Sequence, residues 1–379
     1  MATDNFELAW PVELFRWEAG RLVDEEPFNP YRLQLLFQEG LVEADAVNAL
    51  DRLVPVSQNI FDDTPAPPEA NEAVRRWVRN LLDSPDALTP YEPPRYFSQR
   101  QGSVAPSSLI ATTFVQDFLE LIEEFSEVGY FPRVLPPYCP DEDQPSDAEM
   151  EKRLRRALRL NIPWPLTERV AAGLTEPVLF SLVEYFHDQA QRPRTYTIHG
   201  YGDCVRHYHD YDADAGGAVY RWKVNELLAS HQMQWKLASS GPEKGQLVRA
   251  FPEALDDVLQ SQLAQRQDAS DEVAHAIRDY RQRDAGLIEK RNAISLLAGE
   301  LERRRRQVKD LLSKRDESDL FDIANNFFIR HKGDAQKQDY GLEFADWIFL
   351  NQLAAIELLD AIERRNAAAE EEDFLAWVE

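Results

Sequence analysis

Cysteine is nearly absent from this 379-residue chain, where Cys139 and Cys204 are the only two. A secreted scaffold stapled by disulfides uses more, and in pairs, so a reducing compartment is expected. No apolar run reaches the roughly 18 residues of a membrane-spanning helix. The opening stretch, MATDNFELAWPVELFRWEAG, lacks the basic segment followed by an apolar core that marks a secretory signal. The expectation is a cytoplasmic protein with no membrane partner. The most legible catalytic signatures are missing as well: G-x-G-x-x-G, G-x-x-x-x-G-K-[ST], H-E-x-x-H and G-x-S-x-G do not occur. Dinucleotide-binding, P-loop, zincin and serine-elbow chemistry are thereby excluded as readings, and no cofactor is expected. Positive charge is the minority, with 42 Lys and Arg against 67 Asp and Glu and a net charge of −25. That balance opposes non-specific adhesion to nucleic acid. A nucleic-acid reading must therefore name a local basic patch.

What is present is globular composition: 44% hydrophobic and 29% charged residues suit a packed core. At roughly 100–200 residues per domain, the length suggests two or three domains. Apolar residues recur at helical spacing in LFRWEAGRLV and in RLQLLFQEGLVEADAVNALDRLV. A Pro-rich, acidic connection follows, and a boundary or wrapping arm is expected between Pro55 and Gly102. The segment SSLIATTFVQDFLELIEEFSEVGYF reads as an amphipathic helix capped by Ser107 or Ser108. Further helices are expected over EMEKRLRRALRL, TEPVLFSLVEYFHDQA and GGAVYRWKVNELLASHQ, with TYTIHGYG and CVRHYHDYD as strands. MQWKLASSGPEKGQLVRAF reads as a hairpin turning at Gly241, Pro242 and Gly245, so that helix plus hairpin resembles a wing. Beyond Pro252 nearly everything reads as helix, including one long helix from about Ala285 to Leu312 and another over SDLFDIANNFFIRHK capped by Ser318 or Asp319. The expected fold is mainly α and multi-domain, with a small β-hairpin or winged element in the middle and a C-terminal helical bundle. The expected domains are 1–104, 105–251 and 252–366, with an acidic tail at 367–379.

Three clusters carry chemistry. His199, Cys204, His207, His209, Asp210 and Asp212 are of zinc-ligand types, and His207 and His209 share a strand face. Their spacing matches no standard zinc pattern, so a strand segment without metal is the expectation. In ELERRRRQVKDLLSKRD, Arg303, Arg304, Arg305 and Arg306, with Lys309, Lys314 and Arg315, outweigh Glu302, Asp310 and Asp316. Neighbours on a helix lie about 100° apart, so four consecutive Arg ring its circumference. This fits a phosphate-binding patch and equally a solvated helix face. The third cluster gathers Asn325, Asn326, Arg330, His331 and Lys332 where a helix should end at Gly333. An Arg holds a phosphate bidentately and a His moves a proton near neutrality, which suits RNA phosphodiester chemistry. The same residues also serve as a cationic C-cap.

EKRNAISLLAGELERRR, KRDESDLFDIANNFFIRHKGDAQKQDY and FADWIFLNQLAAIELLDAI, with VNELLASHQMQWKLASSGPEKGQLVRAF before them, resemble the C-terminal region of bacterial abortive-infection-like proteins over about 218–365. Such regions resemble HEPN domains, helical bundles whose active members carry an Arg, four to six residues, then a His. Here His331 takes the His place, but the residue five before it is Asn326, and Arg330 stands directly beside the His. The resemblance implies a phage-defence protein that binds or cleaves RNA, as an endoribonuclease with a degenerate motif. His331 would be general acid/base, Arg330 would hold phosphate and Asn326 would orient it. Arg303, Arg304, Arg305, Arg306 and Lys332 would bind RNA, and two copies would pair as a homodimer. A different class of function is a non-catalytic helical scaffold that binds a protein partner, with the acidic tail and its FLAWVE tip as a docking peptide.

Overall fold

The computed structural model describes residues 5–43, 45, 49, 68–92, 113–138, 144–197, 206–250, 253–266, 271–281, 286–326 and 342–378. The fold is mainly α, with six short strands among the described residues. It divides into two compact units, Met1–Met233 and Gln234–Glu379. This differs from the expected boundaries after residues 104 and 251. The first strand and helices share one unit with the elements around residues 114–230. The hairpin belongs to the C-terminal unit, apart from the helix that precedes it.

The N-terminal unit opens with β1 (Phe6–Leu8), α1 (Val12–Asp24), α2 (Tyr31–Gly40), α3 (Pro68–Asp83) and β2 (Leu88–Pro90). β1 and β2 pair in parallel, Phe6 opposite Leu88. Then come α4 (Phe114–Glu127), α5 (Asp147–Leu158), α6 (Glu168–Ala171) and α7 (Glu176–Gln189). β3 (Arg192–Thr197) and β4 (His207–Asp212) form an antiparallel pair that leads into α8 (Ala213–Ser230). α4 begins later than Ser107 or Ser108 would have it. Thr113 caps it, accepting a hydrogen bond from Gln116 N while the Gln116 side chain reaches back, which satisfies two free donors at the helix start. The core is aromatic: Phe125 lies 5.4 Å from Tyr220 and Phe131 lies 5.2 Å from Phe186, centroid to centroid. Gly216 lets α8 approach β3, since a Cβ there would stand 2.5 Å from Arg192 N.

The C-terminal unit starts with the hairpin β5 (Trp235–Leu237) and β6 (Leu247–Arg249), joined through a 3-10 turn at Gly241–Glu243. Gly241 and Gly245 both have positive φ, as the turn requires. Six helices follow: α9 (Glu253–Gln265), α10 (Glu272–Arg281), α11 (Leu287–Arg303), α12 (Arg305–Leu311), α13 (Lys314–Asn326) and α14 (Leu342–Val378). α11 packs between α10 and α14. Their shared core contains Ile277, Ile294, Leu297, Ile348, Phe349 and Ile356, and Tyr280 stacks on Phe349 at 3.7 Å. The long helix expected over 285–312 is broken at Arg304, between α11 and α12. α13 starts ahead of Ser318, because Ser313 Oγ accepts from Asp316 N and donates to its carboxylate. The expected acidic tail continues α14 through Val378. No helix among the described residues is long and apolar enough to cross a membrane.

Candidate functional site

α13 carries the chain to Asn326, its last residue; Arg330, His331 and Lys332 lie outside the described residues. The basic run is described and sits against the same helix. Arg305 places its guanidinium 4.5 Å from the centre of the Phe321 ring and directs Nε to Glu317 at 3.3 Å. The Arg run thus packs against the next helix in the chain, which leads to Asn326.

The four arginines do not play one role. Arg304, at the break, has a side chain only 12% exposed, and it pairs with Asp360 and, at 3.0 Å, with Glu363. Its Nε donates to Gln307 at 2.8 Å. Arg304 therefore ties the α11–α12 junction to α14. Arg305 is divided between Glu302, Glu317 and the Phe321 ring; those carboxylates push its pKa up, the Glu302 hydrogen bond most. Arg303 is 75% exposed while pairing with Glu300. Arg306 is exposed and has no ion pair among the described residues. Of the run, Arg303 and Arg306 can reach a phosphate, with the half-exposed Lys309, whose Nζ lies 3.9 Å from Glu317.

The His/Cys/Asp cluster is drawn into other interactions. His199 and Cys204 lie outside the described residues. His209 Nε2 meets Thr197 Oγ1 at 3.0 Å across the β3–β4 pair, and Asp210 pairs with Arg32. Asp212 caps α8 through Ala215 N at 2.7 Å and binds Arg21 and Arg194 at 2.8 and 2.6 Å. Among the described residues no group of three or more His, Cys, Asp or Glu is placed to hold a metal ion.

Asp212 is the edge of a buried ion network that composition did not reveal. Arg192 is fully buried; it donates to Glu39 at 3.0 Å and to the fully buried Glu18 at 3.3 Å, and covers the Trp10 ring at 5.4 Å. Arg194, two residues on, reaches Glu25 at 3.1 Å as well as Asp212. Burial raises the Glu18 pKa, and Arg192, Arg194 and Arg21 only partly pull it back. Burial also pushes Asp212 upward, but hydrogen bonds from Arg21 and Ala215 and the charge of Arg194 overcome it and leave the carboxyl below its usual range. The network joins α1, α2, β3 and β4, whose last residue, Asp212, caps α8. With Glu18 and Arg192 closed to solvent, it serves architecture. The available sequence signal was the R-P-R opening of β3, two arginines on one strand face, which only buried carboxylates could satisfy.

Comparison with family models, with curated proteins and with solved structures found no match for this chain.

Proposed function

We propose that this is an abortive-infection-type protein whose C-terminal unit binds RNA through Arg303, Arg306 and Lys309. One observation carries the reading: these side chains remain open to solvent while Arg305 fixes the run on α13, the helix that ends at Asn326. Phosphates would be held by a few exposed cations in an otherwise acidic chain, so binding must be local and salt-sensitive. Each phosphate contact contributes a slope of about −0.9 to −0.7 in log affinity against log salt.

The test is titration of a single-stranded RNA oligonucleotide at graded salt. Binding at low salt that falls with a slope of about −2 to −3 supports the reading; no binding at low salt overturns it. Cleavage is the finer part of the proposal. It assigns proton transfer to His331, phosphate binding to Arg330 and orientation to Asn326. Expression of wild type and His331→Ala in bacteria tests it: cell toxicity and RNA degradation should be lost in the variant. Equal toxicity with intact RNA would leave binding alone. Pairing of two copies belongs to the same reading, and a single-chain mass in light scattering at micromolar concentration would remove it.

A second reading, a non-catalytic helical scaffold, is favoured by the internal use of Arg304 and Arg305. On that reading the whole run is structural, and RNA affinity is absent.

A further inference from the structure

A groove in the N-terminal unit runs along the seam between α4 and α8. It consists of two cavities of about 330 and 300 Å³ that share Glu124 and Lys223. The larger is floored by Trp10, Phe125, Tyr130 and Val219. Four of its carboxylates follow the helices, Glu120, Glu124 and Glu127 on α4 and Glu226 on α8, while Glu39, also in the lining, is taken by Arg192. All four are exposed and have no ion-pair partner among the described residues. Glu120 and Glu124 are about 6 Å apart along the helix axis, and Glu124 and Glu127 about 4.5 Å. Like charges one turn apart repel and destabilise the helix. Lys223 does not neutralise them; its Nζ lies 4.2 Å from the Trp222 ring. Asp117, at the far end, is taken by His231 at 2.7 Å.

We propose that this groove binds a linear aliphatic polyamine. The groove offers an apolar floor and a file of unpaired carboxylates, the complement of methylene segments joining regularly spaced ammonium groups. Other cationic occupants fit less well. A metal ion needs several oxygens converging on one point, and among the described residues no such group exists. An extended basic peptide brings backbone N–H and C=O groups that need partners, and both walls are helices whose backbone is already bonded internally. A docked helix, about 10 Å across, is broader than a seam between two adjoining helices. A polyamine carries no amide to satisfy, and its binding relieves the carboxylate repulsion along α4.

Isothermal titration of the full chain with spermine tests this. Saturable binding to one site is expected, weakened roughly tenfold by Glu120→Gln together with Glu124→Gln. Lys223→Gln should tighten it, since the competing charge is removed. Glu123→Gln changes an exposed carboxylate on α4 that does not line the groove, and should leave affinity unchanged. The positions are exposed, so circular dichroism melts should show no loss of stability. The proposal is overturned by the absence of saturable heat, or by equal losses in Glu123→Gln and the groove variant, which would mean diffuse counter-ion attraction. Equally fatal would be full competition by magnesium at matched ionic strength, or a Lys-rich peptide that binds the groove and is not displaced by spermine.

Discussion

Arg192 in the N-terminal unit and Arg303 in the C-terminal unit carry the same guanidinium into opposite surroundings. Arg192 is sealed between Glu18, Glu39 and the Trp10 ring. Arg303 leans on Glu300 but remains three-quarters exposed. Between these limits stands Arg304, nearly buried yet surrounded by carboxylates at the bundle surface. Burial therefore separates arginines that hold the fold from arginines available to a ligand, and position within a charge run does not. A run of four reads as one patch in the sequence, while the break at Arg304 divides it into inward and outward members.

The largest expected effect is in the buried network. Arg192→Ala takes a shared partner from the buried Glu18 and from Glu39, and removing one partner of a buried pair costs about 3–5 kcal/mol. Urea unfolding should show it, and a loss below 1 kcal/mol would mean that the pair is not sealed in solution. Changing both partners together, Arg192→Met with Glu18→Leu, should recover only part of the loss, because Glu39 still loses its Arg192 partner.

Arg304→Ala should cost less, about 1–3 kcal/mol, since Asp360 and Glu363 keep partial access to water when their partner is lost. The midpoint of urea unfolding would fall accordingly. A neutral result would place Arg304 with the exposed members and strengthen the phosphate-patch reading of the full run.

The pH dependence of Asp212 is smaller. Its folded-state pKa lies below the unfolded value, so ionised Asp212 stabilises the fold above about pH 4. That contribution is lost as pH falls through the folded pKa. Asp212→Asn should therefore destabilise near neutrality, with the gap to wild type narrowing in acid. A gap constant from pH 7 to pH 3 would show that capping geometry, rather than charge, is what the carboxylate contributes.

The sequence was most informative where one local rule acts alone. Helical periodicity located α1, α4, α7, α8 and the bundle, and Gly241, Pro242 and Gly245 located the hairpin turn. Helix starts were misplaced where the cap lay elsewhere: at Thr113 for α4 and at Ser313 for α13. Both are Ser or Thr followed three residues later by a side chain that bonds back, a pattern hidden among neighbouring serines and acids. The Glu18–Arg192 pair spans most of the N-terminal unit in sequence, and no local pattern couples such residues. The groove was illegible for the same reason, as its carboxylates face a wall that only the packing of α8 creates. Of the expected RNA site, the Arg run was legible as charge, and its partition was not. Arg330, His331 and Lys332 lie outside the described residues.

Under the proposed function, exposed arginines of the C-terminal unit meet RNA while buried ones hold the fold. Arg303→Ala with Arg306→Ala, measured beside Arg304→Ala for both melting temperature and RNA affinity, tests it most directly. The exposed pair should change stability by no more than about 0.5 kcal/mol per site, and should lower RNA affinity with a salt slope reduced by about 2. Arg304→Ala should lower the melting temperature and leave the slope unchanged. An unchanged RNA affinity in the exposed pair, or a lowered melting temperature there instead, would contradict the account.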